Sequence, residues 1–208
     1  MDSQLLERFV GWVRLGQDNP QVSLVDGREL SGMTPLFSQL TGDIAEFYSR
    51  VLFDKSLFSS TSLFLSFEPF ESLRELAVGW VLFKNRETGQ YELDPAWDFG
   101  ECLFFAREVG DGVVFVQLDT GIVYGMIPGG WEKDKLAPSF ELFLRAFLDI
   151  ADAENEVPAY LNDDTIYLNP AFVQRAEEIG IQILGEEYWP EFREFFGIVV
   201  DSDDDDDY

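Results

Sequence analysis

Apolar positions recur every three to four residues through Leu5, Leu6, Phe9, Val10 and Val13. That period predicts an amphipathic helix over residues 2–15, with Asp2 or Ser3 as its cap and Gly16 as its stop. Residues 17–32 are rich in turn formers, Asp18–Asn19–Pro20 and Asp26–Gly27, and read as a small hairpin or an irregular connection. Thr34–Pro35 has the form of an N-cap followed by proline at the first helical position. Asp43 opens a second helix whose apolar face is Ile44, Phe47, Tyr48, Val51 and Leu52. The period then changes: residues 62–67 suit a buried strand, while Phe70, Leu73, Leu76, Ala77, Trp80 and Val81 return to helical spacing. Gly79 interrupts that last segment, and residues 78–83 read alternatively as a strand.

Three β-prone runs follow, at 101–107, 113–118 and 122–127, joined by Val109–Gly110–Asp111–Gly112 and Asp119–Thr120–Gly121. Such spacing predicts a three-stranded antiparallel meander with tight glycine turns, apolar on both faces. Residues 128–135 read as a loop. Pro138–Ser139 then starts a helix bearing Phe140, Phe143, Leu144, Phe147, Leu148 and Ala151 on one face, placed to pack on the meander. Beyond residue 155 lie a short strand at 165–168, a helix capped by Asn169–Pro170, an apolar piece at 181–184 and an aromatic segment from Tyr188 to Phe196. The order of elements predicts an α+β fold with a central antiparallel sheet flanked by helices. One domain over residues 1–200 with a disordered acidic tail at 201–208 is the expected organisation.

Charge changes the picture most. The chain has 208 residues with 40 Asp and Glu against 14 Lys and Arg, a net charge of −26. Without the aspartates at 201 and 203–207, 34 acids still face 14 bases, so the body itself is a polyanion. Such a field repels nucleic acid and anionic membrane and draws in a basic protein partner at rates that fall with salt. Aromatics make up 15 % of the residues, including 20 Phe, so a core is available despite the charge. No histidine is present, which removes Ser-His-Asp and Cys-His chemistry. With this many acids, paired carboxylates recur by chance, and neither a catalytic pair nor a metal or cofactor site is singled out. The lone Cys102 sits in an apolar run, so no internal disulfide is possible. The first residues lack a signal-peptide pattern, and no span approaches the ~20 apolar residues of a membrane helix. A cytoplasmic protein without membrane contact is expected.

DIAEFY at 43–48, FFAREVGDG at 104–112, VQLDTGIVY at 116–124 and APSFELFL at 137–144, taken in order, resemble the SUKH (Smi/Knr-like) superfamily. The resemblance covers about residues 35–150. It implies an α+β fold with a central antiparallel sheet, and it brings no catalytic residues. Many bacterial members are similar to immunity proteins that neutralise a toxin, often a nuclease, and fungal members are linked to cell-wall regulation. An immunity protein that occludes a basic toxin domain is therefore the expected function. The alternatives are a regulatory or scaffold protein and a polyanionic nucleic-acid mimic; a carboxylate-based hydrolase has no motif behind it.

For partner binding the sequence nominates Trp131, Glu132 and Asp134 in the loop after the meander, and Asp111 and Asp119 in its turns. Trp131, Asp111 and Asp119 have plainer readings. Trp131 would cover a sheet edge, and both turns need such residues for backbone reasons alone. Trp97 reads as core, and the segment around Tyr188–Trp189–Pro190–Glu191–Phe192 as packing or as an exposed aromatic and acidic patch. The terminal aspartates would solubilise the chain, bind cations weakly or mimic a phosphate backbone.

Overall fold

A computed structural model describes residues 1–16, 21–59, 61–130, 132–160 and 168–199. Asp2 caps the first helix, α1 (Ser3–Gly16): its carboxylate accepts from the Gln4 amide at 3.0 Å and its carbonyl from Leu5 and Leu6. Strand β1 (Val22–Leu24) pairs antiparallel with β2 (Val51–Phe53), which follows α2 (Gly42–Arg50) directly. Val51 and Leu52 thus leave the helix expected of them. Val51 turns extended as the C-cap, and burial alternates along β2 with Leu52 outward, as a half-buried strand requires. Thr34–Pro35 starts no helix either. The amides of Leu36 and Phe37 both donate to the Met33 carbonyl, and the Met33 amide bonds back to Phe37, closing a tight turn.

Strands β3 (Leu57–Phe58) and β4 (Leu65–Phe67) lead to a 3₁₀ turn (Phe70–Ser72) and a single-turn α3 (Leu73–Leu76). Helical spacing overstated this region. Gly79 takes φ +89, and the chain passes into β5 (Leu82–Lys84), paired with β6 (Tyr91–Leu93). The predicted meander is present as β7 (Cys102–Glu108), β8 (Val113–Gln117) and β9 (Val123–Met126). A further strand, β10 (Asp134–Ala137), stands where a loop was expected, and the six-stranded antiparallel sheet has the order β10-β9-β8-β7-β4-β3. Helix α4 (Phe140–Glu156) is capped by the Ser139 hydroxyl, which accepts from the Leu142 amide at 3.2 Å. Asn169 caps α5 (Pro170–Leu184) through the Ala171 amide, and the 181–184 piece is its last turn. The chain returns through α6 (Trp189–Phe195). This is an α+β fold. The expected strand at 165–168 falls mostly outside the described residues, as does the tail 201–208.

The sheet buries both faces. On one, Phe105 packs edge-on to Phe140 at 5.0 Å and Phe143 at 5.6 Å, and Phe67 meets Phe9 of α1 and Phe147 of α4. On the other, Phe104, Phe115 and Tyr124 stand opposite one another on three strands and stack, at 4.9 and 5.7 Å. Trp97 and Phe99 close over that ladder, so Trp97 is a packing residue, with its indole N–H donating to the Gly100 carbonyl. Trp189, Phe192, Phe196 and Ile198 belong to the same continuous buried cluster. Cys102 is buried, and burial pushes its thiol far above the ordinary range. No helix among the described residues is long and apolar enough to cross a membrane.

Candidate partner-binding surface

Strand β10 is an edge strand, and α6 packs along it. The Lys135 amide donates to the Glu191 carboxylate, tying the strand to the helix. Asp134, half-buried at the start of β10, has its carboxyl raised above the usual range, first by burial and then by Glu191, Glu194 and Glu132. Four carboxylates therefore share one corner of the molecule. Sequence reasoning nominated Glu132 and Asp134, read Glu191 only as part of a packing segment or an acidic patch, and missed Glu194. The available signal was the alternation of Glu with aromatics in residues 188–196: Trp189 and Phe192 turn inward, leaving Glu191 half-buried and Glu194 exposed.

Asp119 is exposed in the β8–β9 turn and reaches the edge of this surface. The Tyr124 phenol is raised first by burial, then by Tyr188, Asp119 and Glu191 in turn. Asp111 lies apart from Asp119, at the opposite end of β8, in the β7–β8 turn with φ +66. There its amide donates to the Glu108 carbonyl, as a turn requires, and no hydrogen bond or ion pair among the described residues links its carboxylate to the corner. Trp131 lies outside the described residues. Lys133, between Glu132 and Asp134, has its ammonium 5.2 Å from the Trp97 ring centroid and 4.9 Å from that of Phe99.

The corner offers carboxylate and phenol oxygens. No group of three or more Asp, Glu or Cys among the described residues is arranged to hold a metal ion. Like charges held together raise one another's proton affinity, and an ammonium or guanidinium from outside relieves that repulsion. The arrangement favours a cationic side chain.

No family model matches the chain, and no solved structure matches it. The chain is similar to Protein Syd of Shewanella denitrificans, 32 % identical over 102 residues, which is 48 % of this chain and 43 % of that protein. The match thus spans less than half of the relative's length. It corrects the functional expectation. The likeness runs to Protein Syd and not to an immunity protein, so the toxin–antitoxin reading falls, together with the basic toxin domain as partner and the expectation of no membrane contact.

Proposed function

We propose that this chain is a non-catalytic, acidic docking protein of the cytoplasm, akin to Protein Syd, that binds basic loops presented by a membrane-embedded protein. The observation behind this reading is the corner where Asp134, its carboxyl raised by burial and then by Glu191, Glu194 and Glu132, sits in a chain of charge −26. Cytoplasmic loops of membrane proteins carry an excess of Lys and Arg, which complements such a surface. The bilayer itself is the wrong target, because its cytoplasmic leaflet is anionic. A SUKH-type fold over about residues 35–150, within one domain spanning 1–200, belongs to the same proposal. It rests on the order of the motifs at 104–112, 116–124 and 137–144.

Inside-out membrane vesicles from the host cell test it. Saturable binding is expected, lost after protease shaving of the exposed loops, weakened by salt, and missing from protein-free liposomes of the same lipids. Binding that survives shaving, or equal binding to the liposomes, overturns the reading.

A further inference from the structure

A cleft of about 420 Å³ opens where the 28–33 segment, α3 and β6 meet. Two of the chain's 14 basic residues, Arg28 and Arg74, line it. Their circumstances differ. Arg28 is engaged: its Nε donates to the Tyr48 carbonyl at 3.1 Å, its Nη1 to Glu71 at 2.7 Å, and its guanidinium lies 5.5 Å from the Phe70 centroid. Arg74 rests 5.3 Å over the Tyr91 ring, its Nε is closed off from solvent and donates to nothing, and no ion pair among the described residues includes it. Buried polar groups are as a rule hydrogen-bonded, so the unpartnered Arg74 Nε is a departure that calls for a cause. Arg74 as a whole is half-buried and lines the cleft beside Glu71, Glu75 and Tyr91.

We propose that this cleft binds a zwitterionic ligand of free-amino-acid size, its carboxylate on Arg74 and its ammonium among Glu29, Glu71 and Glu75. The lining selects that class. A simple anion meets three glutamates, and a simple cation meets two arginines, whereas a molecule charged oppositely at its two ends satisfies both. The Tyr91 hydroxyl donates to Glu75, holding that carboxylate in place beside the ring that carries Arg74. Leu30, Met33 and Phe70 supply the apolar wall, which suits an aliphatic side chain. The volume falls within the ordinary range of small-molecule sites. This inference stands apart from the membrane-protein reading and uses a different part of the surface.

Calorimetric titration of the full chain with L-leucine and L-methionine tests it. Saturable binding is expected, weakened at least about tenfold in leucinamide, which lacks the carboxylate, and in N-acetyl-leucine, which lacks the ammonium. Arg74→Met, which keeps an apolar stem, weakens leucine at least about tenfold with an unchanged circular dichroism spectrum, and Glu75→Gln weakens it less. Lack of saturable binding by both amino acids, equal affinity for the blocked forms, or binding of inorganic phosphate alone overturns the proposal. If Arg74→Met does not fold, the ligand series on the unaltered protein decides the matter.

Discussion

The indole of Trp189 lies so close to the backbone of Gly180 that a Cβ at position 180 would overlap the ring. Helix α5 therefore has a flat place where α6 seats, and Phe192, one turn on, reaches Phe143 of α4 with a centroid distance of 6.0 Å. Gly180→Ala should cost about 1–3 kcal/mol, the usual penalty of overpacking, read as a lower urea midpoint with an unchanged slope. Because α6 also carries Glu191 to β10, the same variant should weaken partner binding.

Asp134 should respond to pH in the sense opposite to a salt-bridged carboxylate. Its carboxyl is raised in the folded state, so the native protein binds more protons than the unfolded chain between the ordinary value of 3.8 and the raised one. Stability contributed at this position therefore increases as pH falls through that window and is lost above it. Asp134→Asn should raise the urea midpoint at neutral pH and flatten this part of the pH profile. A midpoint that falls at neutral pH would show that the carboxylate is favourably paired.

Met1 provides the contrasting case. Its α-ammonium lies 2.7 Å from Glu46, 3.5 Å from Asp43 and 3.6 Å from Glu141, linking α1, α2 and α4. The hydrogen bond to Glu46 raises the ammonium above 8.0, and the same bond lowers Glu46 below 4.5. The ammonium's contribution is complete below 8.0 and is lost as pH rises through its folded value. The contribution of Glu46 is complete above 4.5 and is lost as pH falls through its own. Thermal unfolding should thus show a decline on the alkaline side of pH 8 that Glu46→Gln diminishes.

Replacing Glu132, Glu191 and Glu194 together by Gln should slow association with a basic partner by about tenfold at low salt and by much less at high salt. Stopped-flow association at two ionic strengths reads both. A dissociation rate that changes more than the association rate would place these carboxylates in direct, desolvated contact instead of in a steering field.

The meander was legible because β-branched and aromatic runs alternate with glycine turns, and α4 because Ser139 and the Phe140, Phe143, Leu144, Phe147 stripe agree. Local and global preferences point the same way in both places. Strand β10 was not legible. Two of its four residues are charged, its register shifts between Lys135 and Ala137, and it exists as a strand through its pairing with β9. The candidate surface was half legible for the same reason. Glu132 and Asp134 are neighbours in sequence, but the bond from Lys135 to Glu191 spans 56 positions, a separation that no local pattern encodes. The helical period through residues 70–81 misled beyond the single turn of α3, while the alternative strand at 78–83, suggested by Gly79, overlaps β5 at Leu82 and Phe83.

The position of Lys133 over Trp97 gives the molecule an internal optical sensor. Indole emission follows the local electric field, and this ring has an ammonium 5.2 Å from its centroid on a loop flanked by Glu132 and Asp134. A cation settling on those carboxylates alters the charge on either side of the lysine that faces the ring. In a variant that retains Trp97 as its sole tryptophan, occupancy of the acidic corner becomes visible as a spectral shift, without a label attached to either protein.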